Sequence, residues 1–448
     1  MKLLKIGISG VRGIVGDTIT PELVMDFACA FGTFLRTGKV LVGRDTRISG
    51  PMLHSAAISA LLSTGCDVID LGICPAPILQ YLVKKKRTRG AVSISAGHND
   101  AEWNALTFID AEGTYLNEFQ GEEILDLYHL EKFRKASAEK LGMLTVSQDH
   151  FQTYFKALRN FLDVDKIKKT RFKVVIDACN GGGAGIIDLF CENLGCELIP
   201  VNNTPDGYFP HDPEPRPRYG SEVASIIKIT GADIGFLLNS DVSRVSLVTE
   251  TGETLSEEYT FPLVADYYLK NNPGTVITNQ STSRKIEDVA ERHGCRVLRT
   301  RVGQSYIIQS LIYEEAVLAG DGSGSAALRK FQPAFDGFLT MGLILESLAA
   351  EEQTASEKAR KLPKYHIIKH KVYCPPHKAH SLVGRVRKLY SRSQTDLLDG
   401  VRVETKDGWI HVRTSATEPM IRIISESSSR KKAEIRIEKV IHYLSQYI

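Results

Sequence analysis

The densest grouping of anion-binding side chains lies near the end of the sequence, in Arg413-Thr414-Ser415-Ala416-Thr417-Glu418-Pro419-Met420-Ile421-Arg422. Two arginines and three hydroxyls around a tight turn supply the donor density that a phosphate needs, because hydroxyls and amides donate singly and guanidinium groups bidentately. Arg413, Ser415, Thr417 and Arg422 are the candidate ligands. Near the other end, Gly7-Ile8-Ser9-Gly10-Val11-Arg12-Gly13 sets glycines around Arg12, so that backbone N–H groups and a guanidinium stand together. That also suits phosphate, although a plain glycine-rich turn has the same composition.

Three more loops join polar groups to strand ends. Ser93-Ile94-Ser95-Ala96-Gly97-His98-Asn99-Asp100 closes an apolar run with small and polar residues and one histidine, His98. After Ile234-Gly235-Phe236-Leu237-Leu238, the side chains of Asn239, Asp241 and Ser243 alternate and would point to one side. Three carboxylates in that arrangement would suit Mg²⁺, a hard cation that takes oxygen ligands, but only Asp241 is charged. Ala319-Gly320-Asp321-Gly322-Ser323-Gly324-Ser325 offers an acid and hydroxyls to a sugar, or is an exposed Gly/Ser loop.

Such loops need a scaffold that brings distant parts of the chain together. Lys39-Val40-Leu41-Val42-Gly43 reads as a buried strand, followed by the polar loop from Arg44 to Gly50. A helical segment then carries Leu53, Ala57, Ala60 and Leu61 on one face, stops at Gly65 and leads into a strand from Asp67 to Leu71. Upstream, Thr20-Pro21-Glu22 holds a cap, a proline suited to the first helical position and an acid at the positive helix end. The β-α-β theme implies a right-handed crossover and a parallel strand pair. It returns at Phe172 to Val201 and again at Thr275 to Leu298, which predicts three homologous α/β units with mixed, mostly parallel sheets. Ligands in such units collect at the loops that follow the strands. From about Tyr365 the strands shorten and a charged amphipathic helix from Arg430 to Tyr447 ends the chain, as in a smaller α+β domain. The expected divisions are 1–150, 151–254, 255–365 and 366–448.

Composition narrows the partners. The 448 residues are 43% hydrophobic and 24% charged, which is globular and too long for one core. With 56 basic against 53 acidic residues, the net charge of +3 gives no general field for nucleic acid or lipid, and the run from Lys84 to Arg87 reads as a solvated helix end. Eight cysteines without a C-x-x-C pair fit a reducing compartment. No stretch approaches the ~18 uncharged apolar residues of a membrane span, so a cytoplasmic protein is expected.

Taken in order, the five loops resemble the signature loops of the α-D-phosphohexomutases, the superfamily of phosphoglucomutase, phosphomannomutase and phosphoglucosamine mutase. The resemblance runs the length of the chain and includes Val42-Gly43-Arg44-Asp45-Thr46-Arg47, Pro205-Asp206-Gly207-Tyr208-Phe209-Pro210 and Arg301-Val302-Gly303. It implies four domains around one deep cleft, and a reaction in which a phosphoserine hands its phosphate to a hexose that then turns over in the cleft. The family's Thr-Ala-Ser-His-Asn-Pro loop is matched by Ser95 to Asp100, with Gly97 in the nucleophile's place. Thr107 stands where a lysine thought to act as acid or base would be, and Asp-Gly-Asp-Ala-Asp-Arg becomes Asn239-Ser240-Asp241-Val242-Ser243-Arg244. The family's Mg²⁺ is therefore doubtful here, since ligand charge sets affinity for such ions. Asp321 stands as a shortened acid in the sugar loop, Ser323 is kept, and Ser325 replaces a histidine.

Groups for chemistry are lost while groups for binding remain. The resemblance thus implies a hexose-phosphate binder without ordinary mutase turnover. Two other expectations stand beside it: an active mutase using Ser95 or Ser93 as a displaced nucleophile, Ser95 lying two residues from Gly97 and so on the same face of an extended strand, and a non-catalytic subunit. The assemblies expected are a homodimer or a pairing with an active relative.

Overall fold

A computed structural model describes residues 4–391, 393–415 and 420–447. Local chemistry sets the first helix as the sequence suggests. The Thr20 hydroxyl accepts the Leu23 N–H at 3.3 Å, Pro21 begins the helix Pro21–Phe34, and Glu22 sits in its first turn. Lys84, Lys85 and Lys86 form the last turn of the helix Ala76–Lys86, where cations meet the negative end of the helix dipole.

The three α/β units repeat one strand plan. In the first, Gly38–Arg44 is flanked by Cys66–Ile73 and Gly90–Ile94, both parallel to it, and Trp103–Ile109 returns antiparallel beside Gly90–Ile94. In the second, Lys173–Asp177, Glu197–Val201, Ile234–Leu238 and Val245–Thr249 take the same places in the same order. In the third, Val276–Asn279, Val297–Thr300, Leu318–Asp321 and Ser325–Leu328 do so again. The first sheet is larger and less parallel than the other two. It adds the hairpin of Lys5–Gly7 and Gly10–Ile14 beside Trp103–Ile109, and Leu144–Val146 beside Cys66–Ile73.

This repeat has a functional consequence. Residues 95–102, 239–244 and 322–324 are one and the same connection, the turn between the third strand and its antiparallel return. Three of the five loops singled out in the sequence are thus topological equivalents.

The last domain is a five-stranded sheet, in the order His366–Tyr373, Met420–Ser427, Gly408–Thr414, Val401–Thr405, Thr395–Asp396, packed under Pro376–Leu389 and Arg430–Ser445. Its pairs are antiparallel throughout. Its core of Val383, Val386, Ile410, Ile423 and Val440 is its own. By contrast, one continuous core runs from Ile78 and Leu82 in the first unit through Phe155 and Phe190 to Phe338 and Leu345 in the third. Polar contacts join the last domain to the third unit, among them Ser281 Oγ to His411 Nδ1 at 2.9 Å and the Arg284 N–H to Glu426 Oε1 at 3.1 Å. No helix among the described residues is long and apolar enough to cross a membrane.

Candidate functional site

The loop from Ser95 to Glu102 is built around a guanidinium. The Arg47 side chain is fully buried and donates through Nε to Asp45 Oδ2 at 3.0 Å. Its Nη1 donates to the carbonyls of Asp100 (2.6 Å) and Trp103 (2.9 Å), and its Nη2 to those of Gly97 (2.9 Å) and Asn99 (2.6 Å). All five of its N–H groups are engaged. A backbone curled around a cation turns its carbonyls inward, and Gly97 at φ +55° supplies a left-handed step. The Phe209 ring, from the second unit, lies over the guanidinium at 5.0 Å.

Here the structure corrects one expectation. Ser95 and Gly97 do not share a face of an extended strand, because the strand ends at Ile94. The Ser95 hydroxyl is turned into the loop, donating to Asp45 Oδ2 at 2.6 Å and accepting the Gly97 N–H at 3.0 Å. A Cβ on Gly97 would lie 2.7 Å from Asp241 Oδ2, so position 97 faces the second unit's loop directly. Ser93 is buried within Gly90–Ile94, and Thr107 pairs with Ser93 and Gly10 in the sheet.

In the second unit's loop the three alternating side chains do converge, through a turn that begins at Asn239. Asn239 Nδ2 donates to Asp241 Oδ1 at 2.7 Å and to Ser243 Oγ at 3.2 Å. The hydroxyl and N–H of Ser243 donate to the same Asp241 Oδ1, at 2.6 and 3.0 Å. Val242 sits at φ +60°, a strain of roughly 1–3 kcal/mol for a β-branched residue. Its carbonyl is held by the Gly337 N–H of the third unit at 2.8 Å. These residues do not fit Mg²⁺: one oxygen of the loop's only carboxylate already accepts three hydrogen bonds, and an amide NH₂ faces it where a cation would have to stand.

Cationic groups from three domains meet around His98. Burial holds its imidazole well below the usual histidine range, and Arg244, Arg12, Arg422 and Arg47 add to the effect, so it is neutral at pH 7. Arg12 Nη1 donates to Asn99 Oδ1 at 2.8 Å, and burial lowers its pKa against the opposing pull of Asp241. Arg244 reaches Glu214 Oε1 at 3.4 Å. In the last domain Arg413 and Arg422 lie directly opposite each other on paired strands. Arg413 Nε is buried without a hydrogen-bond partner among the described residues, and burial lowers the group's pKa. The Ser415 N–H closes onto the Met420 carbonyl at 2.9 Å, while Thr417 lies outside the described residues. Two guanidinium groups side by side, with a third and a fourth near His98, have the chemistry that a dianion site requires.

The third unit's loop presents Asp321 and Ser323 together. Asp321 Oδ1 accepts the Ser323 N–H at 3.0 Å and also its hydroxyl, and Asn279 Nδ2 reaches Asp321 Oδ2 at 3.4 Å. Gly322 packs on Glu258, a buried carboxyl that accepts the Ser283 N–H at 3.1 Å and pairs with Lys369 of the last domain at 3.1 Å. Burial pushes Glu258 up to about 7, with Lys369 pulling it down and Glu257 raising it. Sequence reasoning missed Asp45, Arg47, Ser240, Arg244 and Glu258. Asp45 and Arg47 stood inside a quoted motif, yet a charged pair in a polar loop carries no sign of its burial.

Three repeated units, the equivalent turns of the first two meeting at Gly97 and Asp241 beside a group of arginines, and a fourth domain bearing paired arginines define an α-D-phosphohexomutase architecture. Successive segments match Phosphoglucomutase/phosphomannomutase alpha/beta/alpha domain I (residues 3–135), domain II (152–252), domain III (256–365) and the C-terminal domain (377–441). The chain belongs to the phosphoglucomutase/phosphomannomutase family. It is 37% identical over 449 residues to the phosphoglucomutase/phosphomannomutase of Thermococcus kodakarensis, covering 98% of each chain. To the probable phosphoglucosamine mutase of Pyrococcus abyssi it is 32% identical over 438 residues, covering 97% of this chain and 96% of that one. The structure of a phosphoglucomutase/phosphomannomutase family protein from Burkholderia thailandensis matches with a TM-score of 0.85 at 25% identity, over 98% of this chain and 96% of that one.

Proposed function

We propose that this protein binds hexose phosphates and does not turn them over as an ordinary mutase. The observation that carries the reading is position 97, which faces Asp241 and is occupied by a glycine that has nothing to phosphorylate. The displaced-nucleophile reading is less favoured, because the Ser95 hydroxyl is buried and already donates to Asp45. The binding side is well supported by Arg12, Arg413 and Arg422 together with Asp321 and Ser323. The names of the relatives point to gluco, manno and glucosamine phosphates as the ligands to try.

Calorimetry with glucose 6-phosphate, mannose 6-phosphate and glucosamine 6-phosphate should give saturable binding to at least one. A coupled assay primed with glucose 1,6-bisphosphate should stay at background. Gly97→Ser alone should stay there too, because phosphoryl transfer depends on groups that act as a unit. Turnover should need Thr107→Lys, Asn239→Asp and Ser243→Asp as well. Robust turnover by the unaltered protein would overturn the reading, and its loss in Ser95→Ala would establish the displaced nucleophile instead.

A further inference from the structure

A divalent cation in such a site has two structural jobs: it draws the oxygens of its own loop together, and it ties that loop to the one facing it. Both jobs are performed here by side chains. Within the loop, the Asn239 NH₂ spans Asp241 Oδ1 and Ser243 Oγ at 2.7 and 3.2 Å. The orientation of this amide is fixed, because Asn239 Oδ1 accepts the Arg244 backbone N–H at 3.0 Å and the NH₂ must point the other way. Between the loops, the Ser240 hydroxyl reaches Asp45 Oδ2 at 2.9 Å and the Gly97 carbonyl at 2.7 Å. Ser240 and Asn239 are both departures from the Asp-Gly-Asp-Ala-Asp-Arg pattern: the first adds a hydroxyl where a glycine has none, and the second puts a donor where a carboxylate would only accept.

We propose that Asn239 and Ser240 replace the cation, so that this protein's loops close and hold a phosphate group without any divalent metal. The charge balance agrees. Three carboxylates around a divalent ion leave one net negative charge, and Asp241 alone leaves the same, so Arg12, His98 and Arg244 face an unchanged field. A phosphate bound here is neutralised by guanidinium groups and is taken as the free anion. The inference rests on the family assignment and on the binding half of the proposed function, and it holds whether or not slow turnover exists.

The test needs no sugar. The melting temperature of the full chain should be the same in EDTA and in millimolar Mg²⁺, and Mg²⁺ titration should show no saturable heat. Asn239→Asp exchanges the bridging donor for a second carboxylate against Asp241. It should lower the melting temperature by about 3 °C or more in EDTA and regain most of that in Mg²⁺. Adding Ser243→Asp should enlarge the regained part and produce a saturable Mg²⁺ heat. Ser240→Gly should lower the melting temperature equally in both buffers. A wild-type protein stabilised by Mg²⁺, or Asn239→Asp protein indifferent to it, overturns the proposal. Should Asn239→Asp fail to fold in either buffer, the wild-type titration decides alone: stoichiometric Mg²⁺ binding refutes the idea and its absence supports it. Glucose 6-phosphate affinity measured in EDTA and in Mg²⁺ separates this proposal from the proposed function. Equal affinity supports both, a metal-dependent affinity refutes this one, and no binding in either buffer refutes the function while the stability results still stand.

Discussion

The loops of the first two units and the paired arginines of the last domain are built on different principles. Around Gly97 and Asp241, hydrogen-bonding atoms find partners within the protein: Arg47 has all five N–H groups engaged, and Asp45 Oδ2 receives Ser95, Ser240 and Arg47. In the last domain, two arginines lie opposite each other on paired strands, and the buried Nε of Arg413 has no hydrogen-bond partner among the described residues. The difference teaches that one half is closed on itself and serves as scaffold, while the other keeps a buried guanidinium donor of the kind an anion site needs. Ease of unfolding and ease of losing ligand should therefore map to different halves.

The largest effect should come from Arg47→Ala. It leaves Asp45 buried without its ion-pair partner and takes a guanidinium donor from each of four carbonyls, which should cost roughly 3–5 kcal/mol in urea unfolding of the full chain. Arg47→Lys should rescue little, since an ammonium has three donors and no fork. If Arg47→Ala instead left stability intact and abolished ligand binding, the two halves would have to exchange roles. Next in size, Arg422→Ala should weaken hexose-phosphate binding about a hundredfold, or roughly 2–3 kcal/mol, by calorimetry. Equal binding by wild type and variant would remove the last domain from the site. Gly97→Ser sharpens the contrast by loading the closed half. A side chain at φ +55°, with Cβ 2.7 Å from Asp241 Oδ2, should lower stability by roughly 1–3 kcal/mol, read from urea midpoints. The last effect concerns pH. Glu258 titrates near 7 when folded against 4.5 in its ordinary state, so the folded form holds the proton more tightly. Its contribution to stability is full below pH 4.5 and is lost as pH rises through 7. Glu258→Gln, with Lys369, Glu257 and Lys285 left around it, should flatten the melting temperature across that window.

Much of the scaffold could be read from the residues. The Thr20-Pro21-Glu22 start, the three β-α-β passages and the final helix, observed as Arg430–Ser445, each follow from local pattern. The equivalence of the three turns could not be read, because it depends on which strands pair, and pairing is settled by long-range packing. The same limit applies inside the site. Asn239 reads in sequence as a ligand that has lost its charge, and only the position of the Arg244 N–H reveals it as a donor. Ser95 looked like a neighbour of Gly97 because an extended strand was assumed, whereas the inward curl is imposed by Arg47, fifty residues away in the case of Gly97.

That curl bears on how such proteins change over evolutionary time. Any substitution or deletion that removed the loop would strand a positive charge in the interior, so the loop's outline matters to folding whatever chemistry it carries. Residue 97 contributes its carbonyl, its N–H and a left-handed step to that outline, and none of these needs a side chain. A lineage can therefore erase the nucleophile at a single codon while the surrounding shape persists.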